Sequence, residues 1–392
     1  MTPLRPASRG RWTEPAIRRC RETNGTAELI GPQPGIRSVA DAVYVPLGGP
    51  GHWGIYEGGR EIGGANAAAA GQSLDAVAFG AGLPATDDRI HLYLGPMTAH
   101  FGHFVTDVVA RLWPLVAWQG PPTKLLYHGP PGLDQWRAHD FISVMLARFG
   151  LDVDDLVCLD EPHRIPNLVV PEPCFSHGRA HQEYATLCRH IGRPFWRDDE
   201  VDTEDRPIFL SKLKLSAGSM HKPSDEGALV GELESRGVEI VFPEDLSFAQ
   251  QVALLARRKT IMGIAGSALH TSLYSAPERR IIALNYWEKI NANFPVIDRL
   301  NGNTAFYYAP RTTHYTKGGD YLLRWTIEDP AAAAAEMLDR ANDFAGIDAR
   351  DDVEDEARDR RARSLAGRTD SARRKLGRWL RPVASLLRRD PS

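Results

Sequence analysis

The chain has 392 residues, of which 43% are hydrophobic and 25% charged, and a formal net charge of −3. That length suits roughly two domains, and the near-neutral balance excludes an overall basic field for nucleic acid. No stretch approaches the ~20 apolar residues of a membrane span, and no apolar run follows the basic N-terminal residues as a secretory signal requires. Cys20, Cys158, Cys174 and Cys188 lie far apart without metal-ligand spacing. Free thiols in a reducing compartment are expected, with a Cys174–Cys188 bridge left open. The expected location is the cytoplasm.

Residues 1–40 read as an irregular lead-in rich in Arg, Pro and Gly. A first α/β domain is expected over 41–197. Short apolar runs at Ala42–Leu47, Arg89–Gly95 and Lys124–Gly129 predict strands, with further strands at Leu156–Leu159 and Asn167–Val170. Between them, Phe104, Val108, Leu112 and Leu115 recur at three- and four-residue steps and predict a helix over His100–Trp118; a second helix is expected over Trp136–Phe149. Such alternation points to a parallel sheet covered on both faces. The acidic, aperiodic stretch Arg197–Arg206 predicts a linker, placed at 198–206.

A second domain over 207–330 alternates more regularly. Strands are expected at Pro207–Leu213, Val238–Glu244, Thr260–Gly266 and Arg279–Trp287, and helices at Ser224–Gly237, Ser247–Lys259 and Ser267–Ala276. Gly237 sits where a helix C-cap glycine would. This is the pattern of a doubly wound nucleotide-binding unit, whose ligands lie beyond the carboxyl ends of the strands. Residues 331–370 read as a helical and then charged segment, and 371–392 as a basic amphipathic tail.

Two local patterns carry chemistry. Gly263-Ile-Ala-Gly266-Ser267-Ala268-Leu269-His270 lies between a strand and a helix, where small residues let backbone N–H groups approach an anion such as a diphosphate. The competing reading is that Gly266 serves only tight packing. Ser211, Lys212 and Lys214 leave the first strand of the same unit at its carboxyl end, so they converge on the same crevice or are solvated surface charge. In the first half, His103 and Asp107 are four residues apart on the expected helix, with Arg111 continuing that face. A titratable row on an apolar helix is a candidate acid–base site or an internal hydrogen-bonded row. His100 adds a second imidazole, but no third ligand at a recognisable spacing supports a metal site, and none is expected.

These residues resemble glycosyltransferase family 61. Gly102 to Leu112 resembles its H-W-x-x-D-x-x-x-R-L element, Leu210-Ser211-Lys212 its I-S-R strand end, Val241 to Gln250 its pE-x-L-S-x-x-E-Q segment, and Gly263 to Tyr274 its G-x-H-G-A-G-L-T-N-x-x-F turn. The likeness covers about residues 90 to 290, in the G-S-A-L-H form associated with bacterial members. It implies a GT-B fold, with two Rossmann-type doubly wound domains facing a cleft, and inverting transfer of a sugar from a nucleotide-sugar, expected to be a UDP-sugar, with no cofactor. Carried over residue by residue, it implies Asp107 as base with His103 beside it. On the donor side it matches Ser211 and Lys212 to the strand-end pair and Gly266, Ser267, Ala268 and Leu269 to the phosphate turn; Lys214 and His270 join them as donor candidates from their positions, and Glu244 either binds the donor ribose or charges the approach to the next helix. The sequence departs from the family at Lys212 (for Arg), Ala265 (for His), His270 (for Thr) and Thr271 (for Asn). Lys212 keeps the charge but loses the bidentate fork. Gln250 has a second explanation, because Ser247-Phe-Ala-Gln250 reads as a capping box.

The expected acceptor is a saccharide or lipid-linked saccharide of a bacterial capsule or exopolysaccharide. Ser371–Arg389 combines seven basic residues with Trp379 and leucines at helical spacing, so the tail either docks on an anionic cytoplasmic leaflet, making the protein peripheral, or packs on protein. Two other readings compete: a nucleotide-sugar epimerase on the same fold, and a non-catalytic module of a polysaccharide assembly complex.

Overall fold

The computed structural model describes residues 15–48, 53–62, 82–121, 123–215, 222–311, 315–317, 323–347, 350 and 360. The expected tail at 371–392 lies outside them, as does most of the charged segment before it. The protein is mixed α/β. Residues 1–337 form one compact unit and 338–392 a second. Among the described residues no helix is long and apolar enough to cross a membrane.

The second sheet forms as its sequence pattern predicts. Short apolar runs become the strands Ile208–Leu210, Glu239–Val241, Thr260–Ile264 and Arg280–Leu284. A further strand, Thr304–Pro310, was not expected. All five are parallel, in the spatial order 239–241, 208–210, 260–264, 280–284, 304–310. Numbered along the chain this is 2-1-3-4-5, whose switch point falls between Ile208–Leu210 and Thr260–Ile264. The intervening helices are capped locally. Ser247 Oγ accepts from Gln250 N at 3.2 Å while Gln250 Oε1 accepts from Ser247 N at 2.8 Å, starting helix Phe248–Arg257. Gln250 is thereby a capping residue. Gly237, at φ +92°, follows helix Glu226–Ser235 in the left-handed conformation that ends it.

The first sheet departs from the expected parallel, doubly wound form. Strands Leu156–Val157, Thr123–His128, Ile90–Pro96 and His163–Pro171 are parallel neighbours, but His163–Pro171 then pairs antiparallel with Ile36–Val45, which continues into Gly54–Glu57 and Arg60–Glu61. Strand alternation explains the difference. Leu92, Leu94, Leu125 and Tyr127 face a core shared with Phe104, Val105, Trp136 and Ile142 from the helical segments. Tyr93 and Leu126 face the other way, clustering with Val39, Ala42, Tyr44, Ile165 and Leu168 from strands of the same sheet. That face carries an apolar cluster drawn from the sheet's own strands, and among the described residues no helix contributes to it.

The lead-in is also more ordered than its composition suggested. Ile17–Arg19 adds antiparallel to Thr304–Pro310, Glu22–Asn24 pairs with Lys289–Asn291, and Glu28–Ile30 pairs with Arg179–His181. These strands are too short and charged to show a period; the first is held by the open edge of the second sheet, and the other two by short strands at 289–291 and 179–181. The acidic stretch 198–206 is tied down by buried cations. Arg279, 1% exposed, pairs with Asp202 and donates to the carbonyls of Ala256, Arg258 and Pro277, while buried Arg258 pairs with Glu204 and Glu239. All four cysteines are free thiols, which closes the Cys174–Cys188 alternative.

Candidate functional site

The segment expected as one helix over His100–Trp118 is broken into unlike turns. Phe101–His103 is one α turn, Phe104–Val108 a π-helical turn closed by Val109 N–H to the Phe104 carbonyl, and Val109–Arg111 and Trp113–Ala117 are 3-10 turns. Pro114 is the sequence cause at the far end, since it has no N–H and crowds the preceding turn. A π turn inserts a residue into the helical ladder and is frequent at functional sites. Here it carries Asp107.

Asp107 points outward, its side chain 50% exposed, and its Oδ2 lies 3.2 Å from His103 Nδ1. The Thr106 hydroxyl lies 2.9 Å from Asp107 Oδ1 and 3.0 Å from the Gly102 carbonyl. The carboxylate is therefore held from two sides and open on the third. The His100 ring lies tilted against His103, with centroids 5.2 Å apart, and its Nδ1 accepts from His103 N. Burial lowers the His100 pKa, and His103 lowers it further. Arg111 is not part of this row. It is buried and donates to the Pro171 carbonyl at 2.8 Å, beside Gly95 (φ +79°), where a Cβ would sit 3.1 Å from Arg111 Nε. It anchors the segment across the strands Ile90–Pro96 and His163–Pro171.

The switch point of the second sheet is lined as expected for some residues and not for others. Lys212 is buried there, and its Nζ donates to the Ala265 carbonyl at 2.8 Å. Burial pushes its pKa down to about 8, against a smaller opposing pull from Glu226. Gly266 is what makes room, because a Cβ at that position would lie 2.6 Å from Lys212 Nζ. Ser211 faces inward as well, donating to Glu226 Oε1 at 2.8 Å, and the same oxygen accepts from Lys212 N at 2.6 Å. Burial raises the Glu226 pKa. Sequence reasoning missed Glu226, which reads as an ordinary charged residue near a helix start. Only the fold reveals it as the buried anchor of the Ser211–Lys212 pair.

Lys214 and Glu244 are drawn to the surface. Lys214 pairs with Asp245 and lies 4.4 Å from the centroid of the Phe242 ring, and Glu244 is exposed on the turn Pro243–Asp245. The segment after Gly266 is a 3-10 helix, Ser267–Tyr274, rather than the α-helix expected. Leu269 is buried in the core, and Ala268 packs partly against that core. His270 is 7% exposed with no hydrogen-bond partner on either ring nitrogen, and burial pushes its pKa down to about 4, with His100 a secondary cause. It is a neutral imidazole at neutral pH.

The two halves meet at this point. A Cβ on Gly102 would lie 2.9 Å from Ser267 Cβ, so the Phe101–His103 turn, which leads into the π turn carrying Asp107, rests against the start of the 3-10 helix. Phe101 and Phe248 extend the contact, with ring centroids 6.3 Å apart, and Asp140 Oδ2 accepts from Phe248 N at 2.7 Å. Side chains three apart on a 3-10 helix eclipse one another, so Ser267 and His270 share the face turned to this contact. A buried cation and a small-residue turn thus meet at the carboxyl edge of a parallel sheet, and the segment that carries the exposed carboxylate packs against the helix that follows them. Such a set can accept a proton on one side and hold an anion on the other. Among the described residues no group of three or more His, Cys, Asp or Glu is arranged to hold a metal ion.

The family model described as Glycosyltransferase 61 matches residues 101–282. The match begins at the Phe101 turn and ends within the strand Arg280–Leu284, so it spans both walls of the site, and it supports a glycosyltransferase. No curated protein matches the chain.

Proposed function

We propose that this protein is an inverting glycosyltransferase that moves a sugar from a nucleotide-sugar, a UDP-sugar in the simplest case, to a saccharide or lipid-linked saccharide acceptor of a bacterial surface polysaccharide. In this reading the two sheets are the acceptor and donor halves of a GT-B-type enzyme, the first bearing an antiparallel extension. The observation that supports it is the approach of Gly102 to Ser267, which brings the segment bearing the exposed Asp107 against the helix that follows the glycine turn.

The chemistry follows from charge. The acceptor hydroxyl oxygen attacks the anomeric carbon from the side opposite the diphosphate. Asp107 takes its proton, the bond from the anomeric carbon to the phosphate oxygen breaks, and the nucleoside diphosphate leaves with the electron pair. His103 orients Asp107 through the 3.2 Å contact. Lys212 and the backbone N–H groups at the start of the 3-10 helix offset the charge that builds on the leaving group, and His270 offers a neutral N–H nearby. Ser211 contributes by fixing Lys212. Lys214 and Glu244 are left at the rim beyond the strands Ile208–Leu210 and Glu239–Val241 and take no part in the transfer step.

The test is Asp107→Asn, assayed with UDP-, GDP-, CMP- and dTDP-sugars. The variant keeps the nucleotide-induced rise in melting temperature and loses transfer by about 10²–10⁴-fold, the usual contribution of a positioned base. Full transfer activity would remove Asp107 from the role.

A further inference from the structure

Large apolar side chains exposed among the described residues are Leu29, Ile36, Leu47, Leu215 and Trp287, and the one aromatic in that set is Trp287, 41% exposed. Its backbone is fixed from several directions. The Asn285 side-chain amide donates to the carbonyls of Trp287 at 2.7 Å and Lys289 at 2.9 Å, and the Cys20 thiol donates to the same Trp287 carbonyl at 3.3 Å. Asn285 N donates to the Tyr308 carbonyl at 2.6 Å on one side of the turn, and Lys289–Asn291 pairs with Glu22–Asn24 on the other. Lys289, held by Glu22 at 2.8 Å, has its Nζ 5.7 Å from the indole centroid. A buried amide spent on holding a turn whose aromatic tip faces solvent is a preorganised surface, and preorganisation reduces the entropic cost of binding.

The turn sits at the carboxyl edge of the parallel sheet. Ala265 N donates to the Leu284 carbonyl at 2.7 Å, so the chain leaving strand Arg280–Leu284 toward Trp287 runs beside the chain entering the Gly266 turn. The first-half wall lies on the other flank. Phe101 meets Phe248, which starts the helix after strand Glu239–Val241, and Gly102 meets Ser267. In the order 239–241, 208–210, 260–264, 280–284, Trp287 follows the strand on the far side of the glycine turn from Phe248. If a diphosphate seated at that turn has its sugar toward the first-half wall, its other end is free to extend toward the flank of strand Arg280–Leu284, where the indole stands.

We infer that the indole of Trp287 is the stacking platform for the nucleobase of the donor, an inference that rests on the nucleotide-sugar reading above. Every base offers a π face, so stacking here selects for the presence of a base more than for its identity. The experiment titrates the full chain, and its Trp287→Ala and Trp287→Phe variants, with UDP, GDP and inorganic pyrophosphate by calorimetry. Trp287→Ala weakens UDP and GDP alike by about tenfold to a hundredfold, the range that stacking a base on an aromatic contributes. Pyrophosphate affinity stays at the wild-type value, and Trp287→Phe retains most nucleotide affinity. Unchanged UDP and GDP binding in Trp287→Ala overturns the inference, as does a loss confined to the KM of a saccharide acceptor. Equal weakening of pyrophosphate overturns it too, because the turn itself would then have been disturbed. Wild-type protein that binds pyrophosphate and neither nucleotide ends the stacking role alone, whereas protein that binds none of the three ends the nucleotide-sugar reading on which it rests.

Discussion

Lys212 Nζ donates a 2.8 Å hydrogen bond to the Ala265 carbonyl, joining the carboxyl ends of the two strands that flank the switch point of the second sheet. The cation thus has a structural partner before any ligand arrives. Its pKa, pushed down to about 8 by burial, means that the charged form needed to offset a diphosphate is lost as pH rises through that value. Nucleotide affinity in the wild-type protein should fall above about pH 8. Lys212→Arg should move that fall out of the measured range, since a guanidinium stays charged. Lys212→Met, close in length but uncharged, should fold and lose most nucleotide-induced stabilisation. Calorimetric titration between pH 6.5 and 9.5 checks both variants, and a flat wild-type profile counts against the assignment.

Gly266 adds a second route to the same cation. A Cβ there meets the flexible end of Lys212, at 2.6 Å from Nζ and 2.7 Å from Cε, and the backbone φ of −178° is open to any residue. Gly266→Ala should therefore fold, with a melting temperature within a few degrees of wild type, but displace the ammonium and weaken nucleotide binding tenfold or more, since a displaced charge–phosphate contact is worth about 1.5–3 kcal/mol. A large loss of stability with intact binding would be the opposite result.

How much of this was legible beforehand differs between the halves. The second sheet announced itself because each short apolar strand is followed by a helix with its own local signals, the Ser247–Gln250 box and Gly237 among them. Those interactions span only a few residues. The segment after His100 misled because Phe104, Val108, Leu112 and Leu115 satisfy α-helical spacing while the backbone takes π and 3-10 turns. Only Pro114 hinted at the break. Asp107 and His103 were visible as a pair, since four-residue spacing survives that change. The burial of Lys212, the Glu226 carboxylate beneath Ser211 and the surface position of Lys214 depend on partners 14 to 53 residues away, which no local pattern encodes.

Acid sensitivity follows from two buried imidazoles. Burial pushes both His128 and His270 down to about 4. Between that value and the ordinary ~6.5 the unfolded chain binds protons that the folded chain does not, so stability is lost as pH falls through this window. Each group contributes up to about 3 kcal/mol by pH 4. Asp298 works in the other direction, because burial raises its pKa to about 7 and its contribution is lost as pH rises from about 4 to 7. His128 has partners in Tyr93 at 2.6 Å and the Val45 carbonyl at 2.8 Å, whereas His270 has none. His270→Leu should thus raise apo stability at pH 7 by about 1–3 kcal/mol, the cost of an unsatisfied buried polar group. It should also reduce the acid loss and weaken the donor-induced rise in melting temperature. Denaturant titrations at pH 7 and pH 5 read the first two effects, and destabilisation at pH 7 would mean that the imidazole is satisfied in solution.

The contact between Gly102 and Ser267 permits a test of whether the two walls act together. A methyl at Gly102 would come within 2.9 Å of Ser267 Cβ, closer than real Cβ contacts come, and 3.1 Å of His100 Cε1, so the Phe101–His103 turn or the 3-10 helix must shift. Gly102→Ala should therefore cost about 10²-fold in transfer, since misplacing a reacting group by about 1 Å has that effect, with nucleotide affinity much less affected. Ser267→Gly removes the obstructing carbon. The double variant Gly102→Ala/Ser267→Gly should then recover much of the transfer rate lost by the first change, beyond what the separate effects would add to. If Asp107 works apart from the glycine turn, the two substitutions will be additive and the second will rescue nothing. The cycle requires only kcat for wild type, both single variants and the double variant, with melting temperatures to show that all four fold.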